Sequence, residues 1–510
     1  MNHIAFELIQ YGDYDLLHIN EQNNEIWLEK YENRESKVIR LTTVGFDWKN
    51  ELQRDITKTI NRVQGLGRLL VGRKINVQNI YVSQFAPVDN WEMLKRPIYY
   101  KGPKEMNIHV YYINQENYED EIKRFSKDVM HISFPEIDLD PIVLQANLQN
   151  YELYLRNLLI EKRKRDQAIF SYGKPIFTYL LIGLNILYFF IIEMFGSSTD
   201  VPHLVQFGAK FNPLIMDHEW WRILTSMFIH IGFIHWFMNM IALFYLGTAV
   251  ERIFGPAKFL IIYFLGGIVG GLASFAFTTN VSAGASGAIF GLFGAILFFG
   301  LKERKLFLQT IGRPILIIIV FNVIIGFTAP QIDNSAHLGG LLAGFLSSGI
   351  VNLPNRKEMS KRIFATIGYI VIASTMVFFG FNNKDNIVTY NLIKIEDHLA
   401  QDEFNEIIKL VDESLPYSEN DQKTLLLYFQ RSIAYINLGE YEAATVDLEK
   451  TIEIDDKFHS SHYNLALLYK TQGEDRKAEE SIETAYKLNP NDKKYYDMYV
   501  EIIGKEPTID

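Results

Sequence analysis

The chain has 510 residues, 48% of them hydrophobic and 22% charged, and a formal net charge of −10. That length exceeds one ordinary domain and suggests about three, and the acidic balance argues against a nucleic-acid partner. With no cysteine, a disulfide framework, a thiolate metal site and a cysteine nucleophile are all excluded.

The apolar residues are unevenly spread. Residues 1–165 and 385–510 read as water-soluble protein, whereas 175–381 holds repeated apolar runs with few charges, each about the length a helix needs to cross a bilayer. The expected fold class is therefore multi-domain. A polytopic α-helical membrane bundle is preceded by a soluble α/β domain and followed by an all-α solenoid. The start, Met1-Asn-His-Ile-Ala-Phe-Glu7, lacks the basic-then-apolar pattern of a signal peptide. The first membrane segment is expected to act as the insertion signal.

In residues 1–165, Ile4–Gln10, Glu25–Tyr31 and Lys37–Gly45 read as strands, and Trp48–Leu70 has helical apolar spacing. Strands are expected again at Lys74–Phe85, Met106–Ile113 and near His131–Phe134, with a helix at Asn117–Asp128 and a long polar helix over Pro141–Lys164. Gly65-Leu-Gly67 is too short for a phosphate loop and reads as a turn. Glu136, Asp138 and Asp140 are spaced to hold a hard cation. Carboxylates near a helix start explain them more simply.

Seven apolar spans follow, at 175–195, 228–248, 258–278, 284–301, 314–330, 336–351 and 362–381. Basic residues in short loops set orientation. Lys162, Arg163, Lys164 and Arg165 precede the first span, Lys302, Arg304 and Lys305 follow the fourth, and Arg356, Lys357, Lys361 and Arg362 lie at the turn into the seventh. The loops near 279–283 and 331–335 carry neither Lys nor Arg. The N-terminal domain is thus expected in the cytoplasm and the C-terminal domain outside the cell.

The C-terminal part repeats itself. Gly439-Glu-Tyr441 returns at Gly473-Glu-Asp475, 34 residues on, and Tyr435, Ala444, Leu448 and Ile454 match Tyr469, Ala478, Ile482 and Leu488. This period and pattern resemble the tetratricopeptide repeat, whose arrays bind proteins or peptides and do no chemistry. A degenerate unit is expected around Asp402-Glu-Phe404 and a capping helix at Lys493–Ile503.

Polar residues inside the spans are the candidates for chemistry. The fourth span opens with Gly284-Ala-Ser286-Gly287, and Gly291 and Gly294 keep one side bare. The second carries His230, His235 and Asn239, the last two sharing a helix face. The sixth opens with Ala336-His337-Leu-Gly-Gly340-Leu-Leu-Ala-Gly344. A Gly/Ala stripe alone is usually a packing seam, and one membrane histidine is more often a helix–helix partner than a base. Depth joins them. Ser286 lies about 24 Å from Lys302 at 1.5 Å per residue, toward the outer side of a core about 30 Å thick, and His337, His235 and Asn239 reach the same level. Small faces on spans four and six would let Ser286 meet His337. His337 would then be the base for a serine nucleophile. His235, Asn239 and the Ser286 amide would be donors to a developing oxyanion. Asp333 lies four residues before His337 and is expected in the loop, so no acidic third member is evident.

Residues 175–351 resemble the rhomboid intramembrane serine proteases. The resemblance rests on Trp221-Arg222-Ile-Leu-Thr225-Ser-Met-Phe228-Ile-His230, on His235 and Asn239, on Glu251-Arg-Ile-Phe-Gly255, on Gly284-Ala-Ser286-Gly287 and on the Ala336–Gly344 run. It implies Ser286 as nucleophile and His337 as general base, with His235, Asn239 and the Ser286 amide in the oxyanion hole. It also implies a Trp221-Arg222 loop lying partly in the outer leaflet and stabilising the core. Many relatives carry a tyrosine one helical turn after the serine, packed on the histidine. Phe290 keeps the ring and loses the hydroxyl, and activity is expected to survive.

The whole arrangement looks like the longer rhomboids of Gram-positive bacteria. Four parts are expected: 1–165, a cytoplasmic α/β domain; 175–351, the six-span protease core; 362–381, a seventh span; and 390–510, extracellular repeats. The expected activity is hydrolysis of peptide bonds in or beside transmembrane helices, without metal or cofactor. Its partners would be transmembrane protein substrates, the lipid bilayer, and proteins recruited by the repeats or the N-terminal domain. A small residue before the cut is implied by the family. Two other readings compete. One is a silent relative that binds and escorts membrane proteins; the other is a transporter, which usually has paired inverted repeats that the sequence does not display.

Overall fold

The computed structural model describes residues 1–67, 70, 72–102, 104–129, 140–310, 312–328, 332–356 and 358–507. The chain divides into two compact units, one of Met1–Tyr172 with Phe299–Leu316 and one of Gly173–Phe298 with Ile317–Asp510.

The first unit runs α1 (Asn2–Gly12), β1 (Asp15–Asn20), β2 (Glu25–Glu32), β3 (Glu35–Thr42), α2 (Lys49–Leu66), β4 (Lys74–Val82), β5 (Ile98–Tyr100), β6 (Glu105–Ile113), α3 (Tyr118–Val129) and α4 (Pro141–Phe170). Its sheet has the order β1-β2-β3-β4-β6-β5. The first three strands form an antiparallel meander, β3, β4 and β6 run parallel, and β5 returns antiparallel at the edge. Helices on the two faces explain why the central strands are buried almost throughout. Ile26, Leu28, Ile39 and Leu41 pack with Leu8 of α1 and Leu155 of α4. Trp27, Val38 and Val77 pack with Val63 of α2. Arg40 is buried on that second face and is held by Glu25 at 2.5 Å and Asp55 at 2.7 Å.

One expected strand is a helix. Ile4–Gln10 lies within α1, where Ile4, Ala5 and Leu8 are buried at helical spacing and Asp13 closes the helix in the left-handed region (φ 55°). A short apolar run fits either period, and packing against α4 decides it. Gly67 ends α2 as a C-cap. Asp140 caps α4 by accepting from Ile142 N and Val143 N at 2.9 and 3.2 Å. Glu136, Asp138 and the strand expected at His131–Phe134 lie outside the described residues.

The second unit begins with α5 (Ile176–Phe195). A long loop follows, bearing α6 (Val201–Gln206), α7 (Asn212–Met216) and α8 (Arg222–Thr225). Next come α9 (Gly232–Ala242), continuing through a π-helical turn into α10 (Thr248–Phe254), and α11 (Pro256–Phe277). The helices α12 (Ser286–Lys302), α13 (Arg304–Gln309), α14 (Gly312–Thr328), α15 (Asn334–Val351) and α16 (Met359–Phe381) complete the apolar region, with α13 and the adjoining ends of α12 and α14 counted in the first unit. Among the described residues four helices are long and apolar enough to cross a membrane: Ile176–Phe195, Gly232–Phe254, Pro256–Phe277 and Met359–Phe381. Ser286–Lys302 is a shorter apolar helix. The helix at each expected span starts where local chemistry allows. Gly232 has φ +76°, so α9 begins after His230, which lies in the preceding loop.

The remaining helices are α17 (Lys384–Ala400), α18 (Phe404–Ser414), α19 (Asp421–Leu438), α20 (Tyr441–Ile454), α21 (His459–Gln472), α22 (Asp475–Leu488) and α23 (Lys493–Ile503). Their register follows the 34-residue period. Gly439 and Gly473 are left-handed C-caps of α19 and α21. Ala444 and Ala478, with Leu448 and Ile482, are fully or almost fully buried where paired helices meet.

A ladder of asparagines seats α17 on the membrane helices. The buried Asn386 amide donates to Phe275 O and Gly380 O, each at 2.9 Å, and accepts from Asn212 Nδ2 at 2.6 Å. Asn383 donates to Ala276 O at 3.0 Å. Removing such a partner strands buried carbonyls at about 1–3 kcal/mol each. Asn386→Ala should therefore lower the thermal unfolding midpoint of the purified protein, whereas Asn437→Ala, on an exposed turn of α19, should leave it in place.

Candidate active site

Ser286 is the first residue of α12 and His337 lies in the first turn of α15. Their side chains meet, with Nε2 of His337 2.9 Å from Oγ of Ser286. Side chains of this length bridge two helices only if the backbones nearly touch, and the glycines permit that. A Cβ on Gly340 would run into the Gly287 carbonyl, and one on Gly344 into Gly291. On the other side of α12, Gly291 faces Gly266 of α11, and Gly270 of α11 lies against Gly287 and Ala336. The small-residue stripe is thus a three-helix packing seam that also brings the serine to the histidine.

The ring of Phe290, one turn after Ser286, stacks on His337 with centroids 4.1 Å apart and planes 9° from parallel. That contact fixes the imidazole plane without a hydrogen bond. His337 Nδ1 is buried and has no hydrogen-bond partner among the described residues. Asp333 is not beside it. The aspartate caps α15, accepting from Ala336 N at 3.0 Å while its carbonyl accepts from His337 N at 3.2 Å. It also accepts from the Ser274 hydroxyl of α11. As expected, Asp333 lies in the loop just before the helix, where as the N-cap it starts the histidine's helix, and it ties that helix to α11.

The approach to Ser286 is equally constrained. Gly284 adopts φ +145° and any Cβ there would strike the His235 ring, so only glycine suits both backbone and space. Gly284 N donates to Ser226 O at 2.9 Å, and Ala285 N to His230 Nε2 at 3.3 Å. His230 is completely buried and its ring centroid lies 5.4 Å from that of His235. As the first residue of α12, Ser286 has a backbone N–H without an intrahelical acceptor, at the positive end of the helix dipole. Asn239 is buried on α9 and donates to His235 O at 2.9 Å. Among the described residues no hydrogen bond joins Asn239 to Ser286 or His337. The geometry thus brings His235, Gly284, Ser286, Phe290 and His337 together, with Asn239 one turn along from His235.

The loop between α5 and α9 braces this strand. Trp221 is half exposed, with the Arg222 guanidinium 4.6 Å over its ring. Arg222 bonds Glu219 at 2.5 Å, Val205 O at 2.6 Å and Ala209 O at 3.1 Å. Directly after the buried Gly208–Ala209 turn, Lys210 pairs through its backbone with Ser282, just ahead of Gly284. The Lys210 ammonium is buried and donates to Thr278 O and Asn280 O, both at 3.0 Å, closing the C-terminal end of α11. Sequence reasoning missed Lys210, because a lysine in a loop reads as solvated.

Filling the seam should separate the helices. Gly340→Val should destabilise the protein by about 1–3 kcal/mol, the usual cost of overpacking, read as a lower thermal midpoint. Gly183→Val on α5, where a Cβ meets nothing within 4 Å, is the matched control and should leave the midpoint unchanged.

The rhomboid domain pattern matches residues 217–354, and the tetratricopeptide repeat pattern matches 426–458 and 459–492. Rhomboid protease GluP of Bacillus subtilis (strain 168) is 35% identical over 475 residues, covering 91% of this chain and 90% of the relative. Putative rhomboid protease YdcA of the same organism is 39% identical over 140 residues, 27% of this chain and 70% of the relative. Inactive RHOMBOID-like protein 8 of Arabidopsis thaliana is 42% identical over 150 residues, 29% of this chain and 42% of the relative. With several long apolar helices and near-full-length similarity to a rhomboid protease, this multi-pass membrane protein, with its tetratricopeptide repeats, belongs to the rhomboid family.

Proposed function

We propose that the chain is a serine endopeptidase that cuts other membrane proteins within or beside a transmembrane helix, using Ser286 and His337 as a dyad. The observation that carries this reading is the 2.9 Å contact between Ser286 Oγ and His337 Nε2, formed inside a helix seam and locked by Phe290. In the tautomer protonated at Nδ1, Nε2 accepts the serine proton as Oγ attacks the scissile carbonyl. The oxyanion that forms is received by the Ser286 N–H and by His235 and Asn239. His337 then protonates the leaving amine, and water attacks the acyl-enzyme by the same route in reverse. No carboxylate is needed at Nδ1, because the stacked ring orients the imidazole.

The substrate must expose a carbonyl that a helix normally hides in an i to i−4 bond. Segments with Gly, Pro or polar residues that unwind readily are the expected targets, with a small residue before the cut. The distribution of basic loop residues supports a cytoplasmic N-terminus and an extracellular C-terminus in the cell membrane. In this reading 1–165 is a cytoplasmic domain that senses or recruits, 175–351 the protease core, 362–381 the seventh span, and 390–510 an external repeat array that recruits protein partners or substrates.

A catalytically silent, membrane-protein-binding role is the second reading, favoured by the similarity to a relative named as inactive. Purified protein in liposomes with a single-span substrate bearing a Gly-rich outer segment separates the two. The wild type should cleave, and Ser286→Ala and His337→Ala should each lose at least about 10³-fold. His235→Ala and Asn239→Ala should lose about 10²-fold. Phe290→Tyr should keep activity and Phe290→Ala should lose most of it. Equal cleavage by wild type and Ser286→Ala would overturn the dyad.

A further inference from the structure

The ends of α11 and α15 fix two opposite levels in the membrane region. At one level Ser274 of α11 meets Asp333, which starts the helix that carries His337. At the other, Lys258 in the first turn of α11 donates to Asn352 O at 2.8 Å, just past the end of α15. Asn352 is fifteen residues beyond His337, roughly 22 Å along a helix. Arg362, in the first turn of α16, converges on the same place, its Nε donating to Ile350 O at 2.7 Å.

Each of these cations uses one donor on a helix-end carbonyl. Four N–H groups of Arg362 and two of Lys258 remain. No carboxylate pairs with either among the described residues, and the two charges act on each other. The acidic residue in the 352–362 connection is Glu358, which engages Lys361 at 3.2 Å. Directly beside Arg362 lies a groove of about 330 Å³ lined by Ile350, Met359, Ile363, Thr366 and Ile367. It opens along α16, whose apolar window is only 6% buried. The site therefore joins two uncompensated cations to an apolar trough pointing into the hydrocarbon layer.

We propose that this site holds one anionic phospholipid of the bilayer, its phosphate on Arg362 and Lys258 and an acyl chain in the groove between α15 and α16. A free phosphate or acidic peptide would satisfy the cations and leave the trough empty. A zwitterionic lipid would fill the trough and bring its own cation to the pair. An anionic lipid satisfies both, as basic pockets between membrane helices do elsewhere. It would bridge α11, α15 and α16, joining the seventh span to the helix that carries His337 at the end remote from the serine.

The test uses the full chain in detergent, incubated with equal amounts of phosphatidylglycerol and phosphatidylcholine of the same chain length. Free lipid is removed and bound lipid is counted by mass spectrometry. One phosphatidylglycerol per chain should be retained in preference to phosphatidylcholine. Arg362→Gln and Lys258→Gln should each reduce that retention about fivefold, Arg362→Lys should largely keep it, and Arg476→Gln, a remote exposed cation, should not alter it. Ile367→Gln should reduce retention by spoiling the trough, and millimolar glycerol phosphate should fail to displace the lipid. Equal retention of both lipids, retention unchanged in the Lys258/Arg362 double variant, or displacement by glycerol phosphate would each overturn the proposal.

Discussion

The structure depends on how closely three backbones approach one another. At Gly287 and Gly340, at Gly291 and Gly344, and again at Gly266 and Gly270, no side-chain atom separates α12 from α15 or α11. In hydrocarbon, helices gain little from hiding apolar surface, so this contact relies on packing and close polar approach. The same proximity lets a one-carbon serine side chain meet an imidazole across a helix interface. Stability and the proposed chemistry therefore rest on the same glycines, and neither can be altered alone.

Around that seam, the charged side chains Asp333 and Lys210 are paired with backbone and hydroxyl groups. Asp333 spends its carboxylate on a helix start and a serine hydroxyl, and Lys210 spends its ammonium on the carbonyls that end α11. Burying an ion pair beside His337 would have carried a desolvation cost. An aromatic ring orients the histidine instead. The asparagine ladder extends the pattern outward. Phe275 O and Ala276 O at the end of α11 receive Asn386 and Asn383, so the first helix of the C-terminal array is anchored to the helix that also contacts Asp333.

Much of this was legible in the sequence because its signals are long or periodic. Apolar helices fall in the expected region, four of them among the described residues long and apolar enough to cross a membrane, and the matched repeat positions Ala444, Ala478, Leu448 and Ile482 are buried. The family resemblance anticipated the ring of Phe290 on His337. Short signals failed. Ile4–Gln10 fits both a strand and a helix, and only its contact with α4 selects the helix. Strands β1 and β5 passed unnoticed because Asp15–Asn20 is an outer strand of mixed polarity and Ile98–Tyr100 spans three residues. Lys210 and the Asn212–Asn386 bond join residues far apart in the chain, and no local pattern announces them.

In the proposed reading, helix packing alone gives Ser286 an activated hydroxyl. Labelling the detergent-purified chain with a serine-reactive phosphonate, followed by peptide mapping, tests it without any choice of substrate. A single adduct on Ser286 is expected, and it should disappear in His337→Ala protein that retains its helical content. A folded wild-type protein that takes up no phosphonate, or takes it up on another serine with Ser286 unmodified, would contradict it.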